Sequence, residues 1–179
     1  KNVDIQWGNH DVEWMGAQLG NETCMMAVLR NAIKYNTFDL LEDGYGIHLR
    51  ALNDFAMNVY GNDPCTYFQP KIFDENVYNI WSIERASQMH KAVAILENKL
   101  EGQLLERHPE YGMNERIVLK KVDWNTMEYV DTDGTRYPMR DTNFPTVDPA
   151  DPLKLTKEEA DLVFNLRASF MHSERLARH

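Results

Sequence analysis

Only two cysteines, Cys24 and Cys65, occur in 179 residues, too few for a disulfide framework. Each reads as a small buried hydrophobe, and a reducing cytoplasm is the default expectation. No apolar run reaches transmembrane length, and no basic-then-apolar leader pattern opens the chain, so no membrane partner is expected. Basic residues are in deficit. The net charge is -9, and no basic stretch interleaves with aromatics, which argues against nucleic acid as a partner. Internal repeats and low-complexity tracts are absent. So is an initiator methionine: the chain opens on Lys1 and enters a strand-like run almost at once, so it reads as an excised internal fragment. Paired histidines at metal-ligand spacing are missing as well. His48, His90, His108, His172 and His179 stand singly, and a lone helical histidine is more often a surface or satisfied core group than a ligand.

What is there is enough apolar material for a core. A hydrophobic content of 43% in this length bounds the chain at one domain, with room for part of a second. The patterning is mostly helical. Asp11 is a candidate cap for a short helix over Val12 to Leu19. Asn21 to Tyr35 reads as a helix with Met25, Leu29 and Ile33 in one stripe, the methionines serving as core filler. After Gly44-Tyr45-Gly46, the segment His48 to Tyr60 places Leu49, Leu52, Phe55, Ala56 and Val59 at helical spacing until Gly61 stops it. A long helical pattern, broken once, runs from about Glu75 to Arg107. Met89, Val93, Leu96, Leu100 and Leu104 keep one face apolar before Pro109 ends it. Gly102 in its last third invites another segment to come close. An ordinary bundle helix explains this stretch, although a cap or a contact in a homo-oligomer would look the same.

The period then changes. Val118 to Val122, Met127 to Val130 and Arg136 to Met139 alternate in strand fashion, separated by Asn125 and by Asp133-Gly134, which predicts a small antiparallel meander. Asp141 to Pro152, with Pro145, Pro149 and Pro152, is a loop. Thr156-Lys157-Glu158-Glu159 is a capping-box pattern opening a last helix with Leu162, Val163, Leu166 and Phe170 on its buried side.

The chemistry-bearing pattern is Gly8-Asn9-His10-Asp11, directly after the strand-like Val3-Asp4-Ile5-Gln6-Trp7. Ligands of open α/β sheets gather at the carboxyl ends of strands. There the amide oxygen of Asn9 can bind a hard divalent cation, and His10 can give a proton to a departing alkoxide. Gly8 lets substrate or metal approach the backbone. The amino end of the following helix would face its amide donors toward a phosphate. Taken alone, the tetrapeptide reads better as a turn than as a site. The flanking residues add weight: Val3 to Asp11, followed by Trp14-Met15-Gly16-Ala17, closely resembles the calcineurin-like metallophosphoesterases. More narrowly, it resembles the class III fructose-1,6-bisphosphatases of many bacteria. Leu41 to Ile47, Lys99 to Leu104 and Arg140 to Thr146 are similar to segments of the same family, so the likeness spans nearly the whole chain.

The resemblance implies a fragment of a larger α/β metallophosphoesterase sandwich, here mainly α with a small antiparallel meander, an α+β arrangement. Residues 1–20 would be a strand, turn and helix of the core, 21–115 a helical cap, 116–152 the meander and proline-rich loop, and 153–179 a helix leading back to the core. It implies a cytoplasmic enzyme of gluconeogenesis that hydrolyses fructose 1,6-bisphosphate at two manganese ions. The metal-bridging hydroxide would attack phosphorus in line, Asn9 would bind one ion, and His10 would meet the leaving oxygen, with Asp11 capping the helix. Two cations need roughly four or more ligands each. One asparagine cannot supply them, so the chain alone is expected to be inactive. The carboxylate that orients the histidine in related phosphatases lies upstream, which leaves His10 without its usual partner.

The second phosphate of a sugar bisphosphate calls for a cation, and Arg140, Lys120, Lys121 and Arg107 are candidates, Arg140 first because it lies within a family-like segment. Glu42-Asp43 reads better as a solvated turn or a cap than as an acid-base pair. Two rival readings stay open. One is a phosphatase of phosphoproteins or nucleotides, although protein phosphatases usually carry Glu where Asp11 stands. The other is a non-catalytic helical cap whose property is self-association.

Overall fold

The computed structural model describes residues 6, 8–72 and 81–179, which form six α-helices and one three-stranded antiparallel sheet. The strand expected at Val3 to Trp7 and the expected helix start near Glu75 lie outside the described residues. Helix α1 spans Asn9–Gln18, α2 Glu22–Lys34 and α3 Arg50–Tyr60. Then come α4, Ile83–Arg107, α5, Lys157–Met171, and a short α6, Glu174–Arg178. Most of these limits follow from capping chemistry. Asn21 accepts from the Cys24 amide at 2.9 Å, Ser82 from the Arg85 amide at 3.3 Å, and Ser173 from the Leu176 amide at 3.2 Å. At α5 the capping box is reciprocal: Thr156 Oγ1 accepts from the Glu159 amide, and Glu159 Oε2 accepts from the Thr156 amide at 2.8 Å.

Helices α2 and α3 pack along α4, while α5 closes against α1, α2 and α3 and reaches α4 through Glu159. Met25, Leu29 and Ile33 of α2, Leu52 and Ala56 of α3, and Leu166 and Phe170 of α5 meet Met89, Val93 and Leu96 in one fully buried core. The expected stripe on α4 holds except at its end, where Leu105 rather than Leu104 is buried. Leu105 joins Ile117, Leu119 and Leu153 in a second, smaller core under the meander. Gly102 makes that junction possible, since a Cβ there would stand 2.6 Å from a methyl of Leu153.

The meander is shorter than its sequence suggests. β1 is Val122–Asp123, β2 Glu128–Val130 and β3 Arg136–Pro138, paired in the order β1-β2-β3 with Val122 opposite Tyr129 and Tyr129 opposite Tyr137. Val118–Lys121, expected as strand, is a 3₁₀ turn. β2 offers too few residues for that segment to pair with, and Leu119 turns inward to the small core instead. Arg136 holds the three strands together, donating to Asp123 at 3.0 Å and to Glu128 at 2.7 Å.

Candidate active site

The turn expected to present Asn9 and His10 is already helix. α1 begins at Asn9, three residues before the expected start, so both side chains stand in its first turn. Gly8 is the cap residue, extended at φ -102° and ψ 178°. The Asp11 carboxylate reaches back to accept from the Gly8 amide at 2.7 Å, closing the first turn. Asp11 therefore does cap the helix, but from inside it.

Asn9 and His10 are exposed. His10, with 68% of its side chain accessible, does find a carboxylate within this chain: its Nδ1 lies 3.1 Å from Glu13 Oε2. The same oxygen accepts from Asn31 Nδ2 of α2 at 3.4 Å, so the imidazole is tied through Glu13 to the neighbouring helix. α1 itself is held close to α2 because residue 16 is glycine. A Cβ there would meet Cys24 Sγ at 2.5 Å and Cys24 Cβ at 2.9 Å. The Cys24 thiol is pushed up by its burial and by the Glu13 charge beside it.

Asn9 and His10 supply an amide oxygen and an imidazole, donor types that suit a divalent cation. Yet among the described residues no three His, Cys, Asp or Glu side chains come together to hold a metal. The donors present fit one corner of such a site, and further ligands must come from elsewhere. Two of the remaining histidines have structural partners. His90 Nδ1 meets the Phe68 carbonyl at 2.7 Å, and burial lowers its pKa, while His108 stacks on Tyr111 and pairs with Glu110. Glu42 accepts from the Leu49 amide at 3.1 Å, the capping role preferred for it.

Of the candidate phosphate ligands, Arg140, Lys120 and Lys121 make no hydrogen bond or ion pair with Asn9 or His10 among the described residues. Arg140 is exposed beyond β3, and no hydrogen bond or ion pair among the described residues joins it to Gly8–Asp11. Lys120 is paired with Glu106, and Lys121 lies 3.5 Å from the Tyr129 hydroxyl. The family-like segment that begins at Arg140 instead engages two lysines on α4 that the sequence reading passed over. Lys91 is fully buried. It donates to Asp63 at 2.6 Å and Asp141 at 2.8 Å, with the rings of Tyr60, Phe144 and Phe68 centred 5.0, 5.2 and 5.9 Å from its ammonium.

Asn143 completes that cluster with a 2.8 Å hydrogen bond to Asp63. Burial alone would raise the Asp63 pKa, but hydrogen bonds from Lys91, the Cys65 amide and Asn143 outweigh it and bring the pKa to about 2. Lys99, also fully buried, donates to Glu159 at 2.7 Å and to the Thr146 carbonyl at 2.6 Å. Gln88, Lys91, Ile95, Lys99 and Gly102 recur at helical spacing and are all buried, so α4 carries a second inward stripe. That periodicity was the available signal. Its lysines make it read as a solvated face.

The chain matches, over residues 1–179, the family model described as Firmicute fructose-1,6-bisphosphatase. It belongs to that family. Among curated relatives it is 51% identical to the class 3 fructose-1,6-bisphosphatase of Bacteroides fragilis, across 99% of this chain and 27% of the relative. It is 50% identical to that of Bacteroides thetaiotaomicron over the same shares, and 48% identical to that of Clostridium acetobutylicum over 99% of this chain and 26% of the relative. The chain thus spans about a quarter of the length of these bisphosphatases. No solved structure matches it. Among the described residues no helix is long and apolar enough to cross a membrane.

Proposed function

We propose that the longer polypeptide to which this bisphosphatase segment corresponds is a cytoplasmic, manganese-dependent metallophosphoesterase. It hydrolyses fructose 1,6-bisphosphate to fructose 6-phosphate and phosphate in gluconeogenesis. The observation that carries this reading is the pairing of Asn9 and His10, exposed in the first turn of α1, in a chain matched along its whole length by a fructose-1,6-bisphosphatase family.

Asn9 Oδ1 offers one ligand to a metal site whose other ligands come from flanking polypeptide. Manganese, when bound, neutralises charge on the phosphoryl oxygens. His10 meets the leaving sugar oxygen through the ring nitrogen that does not face Glu13, and Glu13 with Asn31 behind it fixes the ring. The open amide groups of the first turn of α1 add favourable dipole density for a phosphate. Arg140, exposed and with no ion pair among the described residues, offers its guanidinium to the second phosphate. Among the described residues the ligand set is incomplete, and the 179-residue chain by itself is expected to be inactive.

Phosphate release from fructose 1,6-bisphosphate by the longer protein with added manganese tests the reading. His10→Ala is expected to lower that release by about 10²-fold or more, the usual scale of a lost general acid. No release, or equal release from unrelated phosphoesters, would remove the sugar assignment.

A further inference from the structure

A pocket of about 300 Å³ opens between the end of α3, the turn that follows it, the first turn of α4 and the loop after the meander. Asn58, Asn62, Asp63, Arg85 and Asn143 line it, and none of its residues belongs to Gly8–Asp11. Gly61 lines it too, and a Cβ there would collide with the Met57 carbonyl oxygen, so the turn sends no side chain into the space.

The lining divides into groups already committed and groups with bonding capacity left over. Asp63 is committed: Oδ2 accepts from Lys91 at 2.6 Å and from Asn143 at 2.8 Å, and Oδ1 accepts from the Cys65 amide at 2.8 Å. Asn143 spends its amide nitrogen in that cluster and keeps its side-chain oxygen. Asn58 and Asn62 make no side-chain hydrogen bond among the described residues. Arg85 donates through Nη1 to Oε1 of the fully buried Gln88 at 3.1 Å, which braces the guanidinium, and pairs with no carboxylate among the described residues.

Charge narrows the class of ligand. Arg85 and Lys91 balance Asp63 and Asp141, so the charges around the pocket sum to zero. A divalent cation would meet two cationic side chains and a carboxylate whose oxygens are already bonded. An anion would meet that same carboxylate in the wall. Carboxamides both donate and accept, as a hydroxyl does, and a guanidinium adds donors in a fixed plane. We propose that this pocket binds a small uncharged polyol of about monosaccharide size, held by Arg85 and the carboxamides of Asn58, Asn62 and Asn143. Such a ligand would also tighten the loop that Asp141 and Asn143 fasten to α4. The inference rests on these side chains and not on the bisphosphatase reading.

The test uses the longer protein and needs no turnover. Saturation-transfer NMR titrations are run with D-glucose and myo-inositol as uncharged probes and with inorganic phosphate as the charged one. Saturable binding of an uncharged probe is expected, weakened about tenfold or more by Arg85→Met. Asn62→Ala, at an exposed position whose side chain bonds to nothing else among the described residues, should weaken it too and keeps the test readable if Arg85→Met disturbs the start of α4. No saturable binding of either uncharged probe would overturn the proposal. So would binding unchanged in both variants, or a pocket that takes phosphate alone and loses it in Arg85→Met.

Discussion

Helices α4 and α1 put the same kinds of side chain to opposite uses. α4 is buried along two stripes, and its two lysines, Lys91 and Lys99, lie fully buried against carboxylates from distant loops and from α5. α1 buries only Ala17, and carries both its chemistry and an apolar stripe of Val12, Met15 and Leu19 outward. A buried ammonium with saturated partners is a fastener, because its proton and charge are committed to the fold. An exposed imidazole held through one nitrogen keeps the other nitrogen free for work. The contrast shows why the family-like segment from Arg140 to Thr146 is structural along much of its length here: Asp141, Asn143 and the Thr146 carbonyl lock it onto α4.

Breaking the fastener should give the largest effect. Lys99→Met leaves Glu159, 1% exposed, without its counter-charge, and unfolding in denaturant should show a loss of about 3–5 kcal/mol. Adding Glu159→Gln removes the stranded charge and should restore a good part of it. Next, the same truncation at two leucines reads the difference between covered and uncovered surface. Leu29→Ala, at a fully buried position beside α4, should cost about 2–5 kcal/mol. Leu19→Ala, at 75% exposure, should change the stability of the 179-residue chain by no more than about 0.5 kcal/mol. An equal loss at both positions would mean that α1 is covered within the segment itself.

Acid should loosen the cluster that holds Lys91 of α4. Asp63 has a folded pKa of about 2, below the value near 3.9 for an unfolded aspartate, so its contribution is complete above that value. It is lost as pH falls from about 4 toward 2, and amounts to about 2.6 kcal/mol at most. Urea unfolding at several pH values should show a shallower slope between pH 4 and 2 in Asp63→Asn than in the native chain.

Much of the fold was legible in the residues because it is local. The capping box at Thr156, the stop at Gly61, the loop after the meander and the apolar stripe of α4 all depend on neighbours within about a turn of helix or one hairpin. The Gly8-Asn9-His10-Asp11 pattern was legible for the same reason, as was the close approach at Gly102. The start of α1 was read late, because Asp11 was placed at the cap when its carboxylate closes the turn from the third helical position.

Other features were decided only by tertiary structure. Lys91 finds Asp63 at a separation of 28 residues, Lys99 finds Glu159 at 60, and Asn143 finds Asp63 at 80. Periodicity records which way a residue faces along its own helix. It carries no information about which distant carboxylate arrives there, so two buried lysines read as solvent-facing charge. The same holds for α1, whose outer stripe shows in the sequence as apolar residues but becomes an uncovered surface only once α2 and α5 have taken the other side. By itself, then, the sequence determined most of the helices, several of their ends and the residue types in the first turn of α1. Packing decided which charges became fasteners and which face was left uncovered, because those outcomes depend on contacts between segments far apart in the chain.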